Sequence, residues 1–181
     1  HWDHSKGVEG LKDKQVWVHC DESLRGWSGP SNHEWTNSAN TSVIQKIGSL
    51  EIEAHCTPGH TPGHMTFIGE GVVISGDCMF LGRCGRTDLF GGDVISQRSS
   101  LMYLRDRLSQ LPLDWIVLPG HQYELSDGSN PTFITVESLL EDNEALNALD
   151  NDGEWNSLDF LSFDDSLAEK ARREKAKHDV E

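Results

Sequence analysis

The chain has 181 residues, with 15 Lys and Arg against 30 Asp and Glu and a formal net charge of −15. So acidic a chain repels phosphate backbones, which argues against a nucleic-acid partner. No run approaches the roughly eighteen apolar residues of a membrane span, and no secretory-signal pattern opens the chain, so no membrane association is expected. Cys20, Cys56, Cys78 and Cys84 form no CxxC pair. That spacing argues against a disulfide scaffold and for a reducing, cytoplasmic setting.

Gln15–Cys20 alternates apolar and polar residues as a strand does. Leu50–His55 alternates too and ends in the turn Thr57–Gly59. Met65–Ile68 and Val72–Ser75 flank Gly69-Glu70-Gly71 and read as a hairpin. Ser99–Leu108 reads as a helix, with Leu101, Leu104, Arg105 and Leu108 at three- and four-residue spacing. Trp115–Leu118 is wholly apolar, as a buried strand is. Beyond Asn130-Pro131 the pattern turns helical, through Val136, Leu139, Leu140, Leu146 and Leu149. Ser162-Phe163-Asp164-Asp165 opens a last helix with a capping-box-like start, running through Arg172. Lys and Arg are absent between Arg107 and Lys170 and then crowd together as Lys170, Arg172, Arg173, Lys175 and Lys177. The acidic stretch before them reads as solvated surface. The organisation expected is an α/β body over 1–129 and a helical extension over 130–181.

Four clusters carry the chemistry, each where a predicted strand gives way to a turn or at the chain's start. They are His1-Trp2-Asp3-His4, Thr57-Pro-Gly-His60-Thr-Pro-Gly-His64, Ser75-Gly-Asp77 and Leu118-Pro-Gly-His121. Imidazoles and carboxylates on strand-end loops are the donors a borderline or hard divalent cation requires. A preceding glycine lets the backbone turn sharply and bring the ring close.

This set resembles the metallo-β-lactamase superfamily of metallohydrolases. The family opens on HxHxDH, of which His1, Asp3 and His4 match the last three donors. The first His of that motif would fall two residues before residue 1, after N-terminal strands that are also absent. The resemblance therefore implies a piece of a longer chain. It further implies His60 as the ligand of TPGHTPGH, Asp77 as a bridging carboxylate and His121 as the last His ligand. His64 is then structural. Two divalent ions would share the site, zinc foremost, with iron or manganese as alternatives. One would take His1, His60 and Asp77, together with the motif's first His that would precede residue 1; the other would take Asp3, His4, His121 and Asp77, with Asp3 also catalytic. The fold implied is the four-layer αβ/βα sandwich of this family, lacking its first strands.

A narrower resemblance lies in Gly82-Arg-Cys-Gly-Arg-Thr-Asp88, similar to a loop of glyoxalase II-like hydrolases and persulfide dioxygenases. His121-Gln-Tyr123 is similar to the His-x-Tyr of glyoxalase II, and Arg172-Arg-Glu-Lys175 to its basic C-terminal helix. This implies Arg86, Tyr123, Arg172 and Lys175 as groups binding a small substrate, a glutathione conjugate. Arg supplies a planar fork for a carboxylate and Lys a point charge. The activity implied is hydrolysis of a thioester or ester by a metal-bound hydroxide. The alternatives are a mononuclear iron persulfide dioxygenase and, if residue 1 is the true start, a non-catalytic metal-binding domain.

Overall fold

The computed structural model describes residues 1–11, 13–24, 31 and 33–178. Its centre is a six-stranded sheet formed by β3 (Ser42–Ile47), β4 (Leu50–Cys56), β5 (Met65–Gly69), β6 (Val72–Gly76), β7 (Ile116–Pro119) and β8 (Ile134–Thr135). These lie side by side in chain order. All neighbours are antiparallel except β6 and β7, which run parallel. A parallel pair needs a long crossover, and the helix α3 (Val94–Leu108) supplies it. A separate parallel pair, β1 (Trp17–His19) with β2 (His33–Trp35), forms a second small sheet.

The β5–β6 turn is Glu70-Gly71, with φ of 53° and 84°. Two successive positive φ values match the twist of a tight hairpin, and glycine takes such a value without strain. Alternation then sorts the side chains. Ile68, Val73 and Val117 point into the core against Leu101, Leu104 and Leu108 of α3. On the opposite face Val43, Ala54, Phe67, Ile74 and Leu118 pair in a row across five strands. The β2 residue Trp35 packs on Phe67, with ring centroids 5.4 Å apart.

Several sequence expectations shift here. α3 begins at Val94, earlier than the apolar spacing indicated. Asp93 caps it by accepting from Ser96 N–H, while Val94 and Ile95 are exposed and add nothing to the core stripe. The first predicted strand is only Trp17–His19, because the chain turns into α2 (Cys20–Leu24). The edge strand β3 was not foreseen. Beyond 130 the helical pattern resolves into α4 (Val136–Asp142), α5 (Glu144–Asn147), α6 (Asp152–Asn156), a 3-10 turn (Asp159–Leu161) and α7 (Ser166–His178). Thr135, Asn143 and Asn151 each cap the helix that follows. At α7 the cap is Asp165, whose Oδ1 accepts from the N–H groups of Leu167 and Ala168; Ser162 lies before the helix.

The acidic stretch is also more than solvated surface. Asp150 pairs with Arg105, Asp152 with Arg98 and Asp165 with Arg86. Its carboxylates dock the C-terminal helices onto α3 and onto the loop that carries Arg86. No helix among the described residues is long and apolar enough to cross a membrane.

Candidate metal centre

β4 and β6 both run antiparallel to β5, and β7 runs parallel to β6. The C-terminal ends of β4, β6 and β7 therefore lie on one edge of the sheet, where α/β proteins collect their ligands. His60 follows β4, Asp77 follows β6 and His121 follows β7. The short helix α1 (Trp2–Ser5) brings His1, Asp3 and His4 to the same edge.

The donor atoms fall into two groups around Asp77. On one side His60 Nε2 lies 3.0 Å from His1 Nδ1 and 3.3 Å from Asp77 Oδ2. On the other, His4 Nε2 lies 3.0 Å from His121 Nε2 and 3.0 Å from Asp77 Oδ2. Asp3 Oδ2 closes that second group at 3.2 Å from His121 Nε2 and 3.6 Å from His4 Nε2. Ligands about 2.0–2.1 Å from a tetrahedral ion stand about 3.3 Å from one another, and the spacings here match that edge.

Protonation points the same way. His60 Nδ1 lies 2.7 Å from the Arg86 carbonyl oxygen. A carbonyl only accepts, so Nδ1 carries a proton, and Nε2 is the ring atom turned toward the cluster. Asp77 Oδ1 is buried with no hydrogen-bond partner, a costly state for a carboxylate oxygen unless a cation meets it. Burial pushes the Asp77 carboxyl up, but hydrogen bonding and charge from His60, with His4 and His121, outweigh it and hold the group at about 2. The site is also close-fitted at Gly120, where a Cβ would stand 2.2 Å from Asp77 Oδ1. Asp3, His4 and His121 fit one divalent cation, and His1, His60 and Asp77 offer donors for a second.

His64 faces away from the donors. Its Nε2 accepts from the N–H groups of Asp77 and Cys78, each at 3.1 Å, and its Nδ1 pairs with Thr57 Oγ1 at 3.0 Å. Burial, aided by charge from His60, lowers its pKa to about 3. The ring thus stays neutral and holds the Asp77 loop. Burial pushes the Cys78 thiol up to about 12 and raises the Cys84 thiol still further. Neither is a poised nucleophile. A second grouping, His19-Cys20-Asp21, is three consecutive residues. His19 Nε2 there donates to the Asn37 carbonyl, and its Nδ1 accepts from Asp21 N–H.

A cavity of about 980 Å³ opens beside the donors, lined by Trp2, Phe80, Arg83, Tyr123, Phe160, Phe163, Leu167 and Lys170 among others. Tyr123 lies in this wall, its ring 4.9 Å from that of Phe80. The remaining expected substrate groups require correction. Arg86 reaches the cavity, but its guanidinium is consumed by Asp88 and Asp165, with two hydrogen bonds to each. Arg172 does not line the cavity. It lies two residues, about 200°, round α7 from Lys170 and pairs with Asp164 at 3.4 Å. Lys175 also misses the cavity and faces Asp93. Besides Arg86, the cationic groups that line it are Arg83, Lys170 and Lys6. The Arg83 guanidinium lies 5.1 Å from the Tyr123 ring and 5.2 Å from the Phe160 ring. Among the described residues no carboxylate pairs with it. Two of these three were within reach of the sequence: Arg83 in the Gly82–Asp88 loop and Lys170 at the head of the basic cluster.

An α/β fold that gathers imidazole and carboxylate donors at one end of its sheet is also what comparison with known proteins finds. Residues 1–121 match the family model of the metallo-beta-lactamase superfamily. The chain is 33% identical over 138 residues to a probable metallo-hydrolase, YqgX, of Bacillus subtilis, covering 67% of this chain and 64% of that one. It is 29% identical over 153 residues to a hydroxyacylglutathione hydrolase of Nitrosomonas eutropha, covering 78% and 55%. The crystal structure of BLEG-1 B3 metallo-beta-lactamase superposes with a TM-score of 0.63 at 27% identity, covering 81% and 73%.

The chain belongs to the metallo-beta-lactamase superfamily, and its α/β fold with a helical C-terminal region is that family's. It spans less than two thirds of the length of the two curated relatives. A hydrolase reading fits at the level of the superfamily.

Proposed function

We propose that the protein is a metal-dependent thioester hydrolase acting on an anionic acyl thioester of the glutathione class. One observation carries the reading: two groups of donor atoms share Asp77 beside a cavity whose aromatic wall holds a guanidinium, Arg83, that no carboxylate among the described residues pairs with. His1, His60 and Asp77 would hold one divalent ion, and Asp3, His4, His121 and Asp77 the other. Imidazole and carboxylate donors suit zinc first, and also iron or manganese. Bound there, such ions supply an acidified water and a Lewis acid for the substrate carbonyl. The chain's own residues do the rest. Arg83 and Lys170 offer charge to a substrate carboxylate, a contact worth roughly 1.5–3 kcal/mol when charge-assisted. Phe80 and Tyr123 line the cavity where its apolar part would lie. Asp3, half-exposed at the site, would accept the proton of the attacking water. No protein nucleophile is required. The free thiols of Cys20, Cys56, Cys78 and Cys84 support a reducing compartment, the cytoplasm.

The test is hydrolysis of a hydroxyacyl-glutathione thioester by the metal-loaded protein, followed as thiol release, beside a neutral thioester of equal acyl group. Faster turnover of the glutathione thioester supports the reading. No thiol release from either substrate by protein carrying two ions overturns it. One iron per chain with oxygen uptake on a persulfide would assign a dioxygenase instead.

A further inference from the structure

The aim of His60 depends on a part of the chain far from it in sequence. Its Nδ1–H is held by the Arg86 carbonyl, 2.7 Å away, so the ring points only as well as that peptide is fixed. Much of what fixes the peptide comes from the strap Leu161–Asp165, just before α7. Thr87 donates its N–H to the Leu161 carbonyl at 2.8 Å, and its hydroxyl adds a second contact to that oxygen at 3.2 Å. Asp88 Oδ2 accepts from Phe163 N–H at 2.7 Å. Asp165 takes two hydrogen bonds from Arg86, at 2.8 and 3.1 Å, while Asp88 takes the other two at 2.6 and 2.8 Å. The Arg86 guanidinium also rests over the Phe163 ring, 4.8 Å from its centroid.

We infer that Asp165 is a positioning residue for the metal donor His60, acting through the Arg86 guanidinium and carbonyl. The planar fork engages both carboxylates only in one orientation. With one carboxylate gone, the guanidinium pivots about Asp88, and the Arg86 carbonyl is free to follow. Groups that orient a metal-binding histidine typically govern metal affinity by 10- to 100-fold. The effect should fall chiefly on one half of the centre, because the hydrogen bond from the Arg86 carbonyl goes to His60, while the polar interactions of His4 and His121 are with Asp3, Asp77 and each other. The inference rests on the metal-centre reading above and is independent of which thioester, if any, is cleaved.

The experiment is a titration of metal-free protein with Zn2+ against a chromophoric chelator, with the visible spectrum of the Co2+ form as a second readout. Asp165→Asn is the main variant, because Asn still caps α7 while losing the charge and one acceptor. Arg86→Lys is the second, since an ammonium cannot fork between two carboxylates. Asp164→Asn is the control, one residue away and fully exposed, touching Arg172. Asp165→Asn and Arg86→Lys should each weaken one of the two ions by 10-fold or more, alter the Co2+ bands of that ion and leave the other within about 2-fold. Asp164→Asn should titrate like the parent. The inference is overturned if Asp165→Asn binds both ions as the parent does, if both ions weaken equally, if Asp164→Asn loses as much, or if the parent takes up fewer than two ions. No step uses substrate, so failure of the thioester reading leaves this result intact, and the reverse.

Discussion

His64 shows how a residue four places from a metal donor can do a wholly different job. It accepts from two backbone N–H groups at the Asp77 turn, and burial keeps it neutral down to about pH 3. Unfolded, it takes up a proton near its ordinary 6.5. The unfolded chain therefore binds more protons between those values, so stability is full above about pH 6.5 and falls as pH drops toward 3. In metal-free protein, His64→Gln should flatten the fall of unfolding free energy between pH 6 and 4 by up to about 1.4 kcal/mol per pH unit. Urea melts at stepped pH measure it, and an unchanged slope would show that His64 is not the group responsible. Asp77 predicts differently. As the carboxylate between both donor groups, its change to Asn should remove both ions, read by elemental analysis of the dialysed protein; retention of either ion would refute the bridging role. The sequence could nominate His60 over His64 only by resemblance. What separates them physically is the Arg86 carbonyl on one ring and the Asp77 and Cys78 amides on the other, and those contacts arise only once the loops are folded.

Among the elements, α3 carries the most. Gln97 packs so closely beneath Gly59 that a Cβ there would lie 2.3 Å from the Gln97 Cα, and Gly59 has φ of 146°. The glycine of the first TPGH thus lets helix and ligand loop touch. Gly59→Ala should cost roughly 3 kcal/mol or more. Gly48→Ala, at φ of 64° but in open space, should cost only about 1–2 kcal/mol; comparable thermal melts for the two would refute the packing argument. Arg98 and Arg105 differ in the same way. Arg98 gives two hydrogen bonds to the Leu149 carbonyl, at 2.6 and 3.1 Å, so Arg98→Ala strands a half-buried acceptor and should cost about 2 kcal/mol. Arg105 chiefly meets exposed Asp150, and its loss should cost under about 1 kcal/mol. Strands bounded by turn residues, such as those flanking Glu70-Gly71, were legible because burial on one face enforces alternation. β3 was not, because most of its residues are exposed and adjacent Val43 and Ile44 break the period. The facing of α7 was not legible either. Its phase depends on a cap at Asp165, so Lys170 reaches the cavity while Arg172 and Lys175 do not.

Charge sets the behaviour of the whole molecule. A net −15 makes the folded chain repel itself, and unfolding relieves that by spreading the charges. Against this stand the Arg–carboxylate pairs, and salt acts on the two oppositely. Raising NaCl from about 0.01 to 1 M shortens the screening length from about 30 to 3 Å, which removes long-range repulsion. The pairs of Arg86 and Arg107 are doubly hydrogen-bonded at 2.6–3.0 Å, with side chains on both residues only partly exposed, so screening weakens them little. Exposed pairs such as Lys46–Glu51 and Arg173–Glu169 contribute at most about 1 kcal/mol each to begin with. Repulsion therefore loses more than attraction does, and Tm should rise by several degrees across this range. NaCl is the right titrant because sulfate or phosphate would also strengthen apolar burial. A Tm that falls with NaCl would mean that the ion pairs docking the C-terminal helices outweigh the net charge. The same screening should slow capture of an anionic thioester if Arg83 and Lys170 attract it locally, and speed it if the field of the whole chain prevails. Stopped-flow binding at stepped NaCl distinguishes the two. Because Arg83, paired with no carboxylate among the described residues, lines the cavity itself, its local attraction should prevail and capture should slow as salt rises.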